Sequence, residues 1–221
     1  MPFICKKHFL IVTTAFGCAF FAPHVHSQVT TFSTPDAPSE TYLANSTFRF
    51  TGEEGSGNDG VQARKHSEEN WKGIYQAFKW ESNESLSSIG FLVSPSFKRS
   101  VYKYFQYSRA QAWQVDILRL KSPRNGAVEK TEVSQSFIVD PANIVAGNYL
   151  AISFETPVPL EPGTAYAVNL YPIQVEVGQS VLFAGSTIKN YLGGGQSAGA
   201  AKSFNFPVSE SDLTFYVTTV H

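Results

Sequence analysis

Apolar and polar side chains alternate with a period of two through most of this chain after its first seventy residues. In "AWQVDILRL" (112–120), Trp113, Val115 and Ile117 fall on one side, and Gln114 and Asp116 on the other. The same alternation puts Leu150, Ile152 and Phe154 inward in "YLAISFE" (149–155), and Tyr166, Val168 and Leu170 inward in "AYAVNLY" (165–171). In "YQAFKW" (75–80), Phe78 and Trp80 share a face with Gln76. These segments read as half-buried strands. Further strands are expected at 47–51, 86–93, 101–107, 132–139, 173–177, 181–187 and 213–220, giving about ten in all.

Turns separate these segments: Ser94-Pro95, Ser122-Pro123-Arg124-Asn125-Gly126, Asp140-Pro141, Pro162-Gly163 and Gly193-Gly194-Gly195. At Pro162-Gly163 the fixed φ of proline and the positive φ open to glycine suit a type II turn. Only "VQARKHSEENWK" (61–72) offers a helical reading, and it is polar enough to be a surface loop instead. "GGGQSAGAAKS" (193–203) lacks the Gly-Lys-Ser/Thr ending of a phosphate loop, since Ala201 precedes Lys202, and reads as a flexible loop. Short strands with turns between them and no alternating helices fit an all-β fold, a β-sandwich or a barrel, and the expected fold is an antiparallel β-sandwich.

The first 27 residues depart from this pattern. Lys6, Lys7 and His8 precede an apolar run from Phe9 to Ala22, the layout of an export signal with cleavage expected after Ser27. The run is shorter than the roughly 20 residues a membrane-spanning helix needs, and no later one is longer. Residues 28–46, rich in Thr, Ser and Pro, read as an extended N-terminal arm, and 47–221 as a single domain. The expected location is outside the cytoplasm, secreted or periplasmic. Cleavage removes both cysteines, Cys5 and Cys18, so the exported chain has to be held by its core without disulfides. It also takes Lys6 and Lys7 from the 17 basic side chains and none of the 18 acidic ones, leaving a net charge of −3. A weakly acidic chain without a basic run is not built for nucleic acid.

Histidine narrows the chemistry further. His8, His24 and His26 lie in the leader and His221 ends the chain, leaving His66 alone inside the domain. A multi-histidine zinc site is excluded, and any Ser-His-Asp triad would have to use that one residue. Enzymatic chemistry would fall to carboxylates, such as Glu53-Glu54 and Glu68-Glu69, but adjacent residues of an extended strand point to opposite faces.

Two segments carry candidate binding chemistry. In "TGEEGSGNDGVQ" (51–62), Glu53, Glu54, Asn58 and Asp59 offer hard oxygen ligands on a pliable glycine backbone, suited to a structural calcium. The bland reading is a solvated loop, and no cofactor is required. In "VYKYFQYSRAQAW" (101–113), Tyr102 and Tyr104 share one face and would stack on sugar rings, with Arg109 as a hydroxyl donor. Period-two aromatics also fill sandwich cores, which is the reading for Trp80 and Trp113. Trp71, beside the polar stretch, is a further ligand-binding candidate.

"FETPVPLEPGTAYAVNLY" (154–171), "YQAFKWESNESLSSIGFLV" (75–93) and "DLTFYV" (212–217) together resemble secreted bacterial jelly-roll modules of carbohydrate-binding architecture. The resemblance spans about 47–220 and rests on core and turn positions. It implies a jelly-roll-like sandwich and a non-catalytic module that binds a glycan or another cell-envelope component. Envelope-sorted proteins of this kind carry a C-terminal anchor. This chain stops at His221, one residue past its last expected strand, so covalent anchoring is not expected. Two other readings stand beside this one: a structural or protein-binding role at the cell surface, and a polysaccharide-degrading enzyme.

Overall fold

The computed structural model describes residues 29–45, 61–65, 71–95, 110–122, 127–174, 180–186, 191–199 and 212–220. Its strands are Val29–Thr34 (β1), Leu43–Asn45 (β2), Val61–Lys65 (β3), Trp71–Trp80 (β4), Ser85–Leu92 (β5), Gln111–Leu120 (β6), Val128–Val139 (β7), Tyr149–Pro159 (β8), Thr164–Gln174 (β9), Ser180–Phe183 (β10), Gly185–Ser186 (β11), Gly193–Gly199 (β12), Asp212–Leu213 (β13) and Phe215–Val220 (β14). A 3-10 turn, Pro141–Asn143, follows β7.

One sheet runs β1-β8-β5-β14-β2, and the other runs β10-β3-β4-β9-β6-β7 with β12 also paired to β4. The described pairings are antiparallel. A third, two-stranded piece joins β11 to β13. The inner faces meet in one core. Ile89, Phe91, Leu150, Ile152, Phe215 and Val217 come from the first sheet, and Ile74, Phe78, Trp80, Trp113, Val115, Ile117, Tyr166, Val168 and Leu170 from the second. This is the antiparallel sandwich expected from the alternation, and Trp80 and Trp113 are fully buried in it. Edge-to-face rings knit the two layers, with Phe183 at 6.2 Å from Phe91 and 6.4 Å from Trp113.

The Pro162-Gly163 turn has the geometry its residues dictate: Gly163 has a φ of 81°, and Thr164 N–H donates to the Glu161 carbonyl at 3.3 Å. Residues read as an extended arm supply both edges of the first sheet. β1 lies against β8 from Val29–Phe154 to Thr34–Tyr149, and β2 lies against β14 at the far side. The intervening chain closes one end of the core, where the Tyr42 ring packs on Trp80 at 4.7 Å and its hydroxyl accepts Glu81 N–H at 2.8 Å.

Two local expectations give way to tertiary context. The segment 61–72 is neither helix nor plain loop where it is described: Val61–Lys65 forms β3, and Trp71 and Lys72 open β4. Pairing with β10 and β4 decides its conformation despite its polar side chains. The glycine segment read as a flexible loop contributes β12, which pairs with β4 from Gly193–Ala77 to Gly199–Trp71. Glycine is required there by close approach. A Cβ on Gly194 would lie 2.2 Å from Gln76 Oε1.

Gln76 takes that space because its position on the apolar face of β4 buries it completely. Its Nε2 donates to Asp212 Oδ1 at 2.9 Å and to the Ala77 carbonyl at 3.0 Å, and its Oε1 accepts Leu213 N–H at 2.8 Å. Asp212, also buried, accepts Tyr191 N–H through Oδ2 at 2.9 Å. Polar groups inside a core cost free energy unless bonded, and this cluster bonds them by tying β4 and β13 to Tyr191.

Candidate functional site

The outer face of the second sheet carries the organised polar chemistry. Strand register places Ser134, Asp116, Asn169 and Tyr75 in one row across β7, β6, β9 and β4. Ser136, Gln114 and Tyr171 form the next row, and Ile138 and Ala112 the one after. Ser136 Oγ donates to Gln114 Oε1 at 2.7 Å, Gln114 Nε2 donates to Ser134 Oγ at 2.6 Å, and Ser134 Oγ donates to Asp116 Oδ1 at 2.7 Å. Gln114 Nε2 also lies 3.3 Å from Asp116 Oδ1. The result is a ladder of side chains held in fixed rotamers by one another.

Exposure falls across the strands from β7 to β6 and β9. Ser134 and Ser136 are open to solvent, Gln114 is half-buried, and Asp116 and Asn169 are buried. Alternation made Asp116 a solvent-facing residue of a half-buried strand, but it is 4 % exposed. Burial raises the Tyr171 hydroxyl above its ordinary range, and the charge of Asp116 and a hydrogen bond to it add to the shift. Burial alone pushes Tyr75 up to about 12. Both phenols are therefore neutral hydrogen-bond donors at neutral pH. Ser134, Ser136 and Gln114 present hydroxyl and amide groups at strand spacing, which suits a ligand rich in hydroxyls.

A second polar cluster lies at the other end of β6. Arg119 Nε meets Glu132 at 2.8 Å, its terminal nitrogens hold Glu161 at 2.7 and 2.8 Å, and its guanidinium lies 5.8 Å over the Tyr166 ring. Its hydrogen bond, working against slight desolvation, holds the Glu161 carboxyl below its usual range. Burial opposes the charge of Glu132, yet hydrogen bonds from Lys130 and Arg119 outweigh it and lower that carboxyl too. Carboxyls held low stabilise the fold above their unfolded value, about 4.3 for glutamate, and that contribution disappears as pH falls through the folded values. Arg119→Ala is expected to flatten the acid limb of a stability–pH curve below about pH 4.5 while leaving its shape near neutrality. An unchanged acid limb in urea unfolding would contradict this pairing.

Of the residues singled out by sequence, Tyr102, Tyr104 and Arg109 lie outside the described residues, as do Glu53, Glu54, Asn58 and Asp59. Trp71 begins β4, opposite Lys65 and Gly199, with its side chain outside the described part. Among the described residues no three His, Cys, Asp or Glu side chains gather in a way that could hold a metal ion. Sequence reasoning did not pick out Gln114, Ser134 and Ser136. Their signal was available as polar positions at period two on consecutive segments, "QVD" at 114–116 and "SQS" at 134–136. No helix among the described residues is long and apolar enough to cross a membrane. Compared with protein-family models and with curated proteins, the chain matches none.

Proposed function

We propose that this protein is an exported, non-catalytic β-sandwich module, jelly-roll-like in connectivity, that binds a glycan or another cell-envelope component. The observation that carries the reading is the Ser136–Gln114–Ser134–Asp116 ladder, a prearranged set of hydroxyl and amide groups on a sheet face. Prearrangement matters because sugar hydroxyls are well solvated, and a site that must order its own side chains gains little from replacing water. Tyr102 and Tyr104, with Arg109 and Trp71, belong to the same reading as stacking and hydroxyl-binding partners. Glu53, Glu54, Asn58 and Asp59 belong to it as a structural calcium site.

A protein-binding or structural role at the cell surface is the second reading. The observation favouring it is Ile138, 61 % exposed on β7, which lies at the edge of the second sheet. A broad glycan array probed with the purified chain, in calcium and again in EDTA, separates the two. Binding to a defined glycan class is expected; binding lost in EDTA assigns the 53–59 segment a metal, and binding kept in EDTA leaves it a connector. Silence under both conditions moves the assignment to the protein-binding role.

A further inference from the structure

Several sheet edges are tied down by side chains or by neighbouring backbone. On β1, Asn143 Nδ2 donates to the Thr31 carbonyl at 3.0 Å, and Asn148 Nδ2 reaches Ser33 Oγ at 3.0 Å. On β2, the Tyr191 hydroxyl donates to the Ala44 carbonyl at 3.0 Å and accepts Ala44 N–H at 3.2 Å. On β10, the Leu182 carbonyl accepts Ser94 N–H at 2.8 Å. β7 differs. It pairs with β6 on one side, and among the described residues its other edge receives only the amide of its own Gln135, bonded to the Ser136 carbonyl at 3.0 Å.

The exposed edge of β7 is also unguarded by charge. Its register shifts between Ile117–Val133 and Leu118–Thr131, which leaves Glu132 as a bulge, and Asp140-Pro141 ends the strand. Between these limits runs Val133–Val139, "VSQSFIV", seven residues without a charged side chain and with Ile138 61 % exposed. Edge strands ordinarily carry charge, proline or a bulge within such a run to prevent pairing with another chain.

We propose that β7 pairs antiparallel with β7 of a second copy of this chain, about a two-fold axis at Ser136. The run is self-complementary when it overlaps itself fully. Val133 then lies opposite Val139 of the other copy, Gln135 opposite Phe137, Ser134 opposite Ile138, and Ser136 opposite its own twin. Core-face residues meet core-face residues, no like charges oppose within the run, Glu132 of each copy meets Asp140 of the other just beyond its ends, and the second sheets become continuous through the axis. The exposed end of the polar ladder, at Ser134 and Ser136, then runs on into the other copy. A foreign strand lacks this built-in register, which favours self-pairing as the occupant.

The test uses the full chain with Cys5→Ser and Cys18→Ser, followed by sedimentation from micromolar to submillimolar concentration. A reversible dimer is expected. Ser136→Cys is expected to form an intermolecular disulfide on mild oxidation, because directly opposed Cβ atoms lie about 5 Å apart. Ser134→Cys is not, because its twin lies about 13 Å along the strands. Ser136→Arg sets like charges against each other at the axis and should weaken the dimer up to about fivefold. A monomer at every concentration, which would leave the edge to an extended segment of another protein, overturns the proposal. So does a dimer in which Ser136→Cys fails to cross-link.

Discussion

Replacing Asp212 with alanine is expected to lower the unfolding free energy by about 3 kcal/mol, since charge-assisted hydrogen bonds contribute about 1.5–3 kcal/mol each. The substitution removes the acceptor for Gln76 Nε2, which is buried, and for Tyr191 N–H, which is partly buried. Asp212→Asn keeps the volume but must turn its own N–H₂ toward one of those two donors, so an intermediate loss is expected. Gln76→Leu should be comparably costly, because it removes a donor to Asp212 and the acceptor of Leu213 N–H. The two losses should add to much less than their sum in the double variant, since both break the same cluster. Urea unfolding of the four proteins checks this. Additive losses, or an alanine variant as stable as the parent, would mean that the cluster does not hold β13 to β4. Against a usual total of about 5–15 kcal/mol, a loss of that size also lowers the yield of folded protein.

Gly90→Ala is expected to cost about 2–3 kcal/mol, at the upper end of what overpacking usually costs. A Cβ at this position would lie 2.2 Å from Tyr216 Cε1 and 2.5 Å from Tyr216 Cζ. The ring cannot step aside, because Tyr216 is fully buried and Tyr149 packs edge-on against it at 5.2 Å. Tyr216 lies directly opposite Gly90 in the β5–β14 register, so the glycine is the notch into which the tyrosine lies flat. In a Tyr216→Ala background the same Gly90→Ala change should be close to neutral. Equal costs in the two backgrounds, read from denaturant midpoints, would show that the glycine is needed for its backbone rather than for the ring.

The sequence made the long half-buried strands legible. β5, β6, β8 and β9 carry period-two apolar positions strong enough to locate them within a few residues, and Pro162-Gly163 named its own turn. The short or weakly patterned strands were not legible. Thr and Ser in "VTTFST" serve a linker as well as a strand, and what makes this segment β1 is a partner 125 residues away, Phe154 for Val29. β12 has no side-chain periodicity because glycine supplies none; it is placed by pairing with β4, where glycine at 194 leaves room for the carboxamide of Gln76. The polar side of β6 was visible as Gln114 and Asp116. Its assembly into a ladder depends on which strand lies alongside, and the hairpin with β7 brings Ser134 and Ser136 into register. The burial of Asp116 depends on tertiary cover that periodicity cannot report.

The most direct test of the binding role is the affinity of Gln114→Ala/Ser136→Ala for the glycan class that the parent protein selects. Both residues face solvent at least in part, so the fold should survive, and intact thermal unfolding confirms it before binding is measured. Loss of two hydroxyl-binding groups of about 1.4 kcal/mol combined corresponds to a tenfold weaker dissociation constant, and a loss of at least that size is the expected result. Unchanged affinity in a folded double variant would place the binding surface elsewhere and contradict the account.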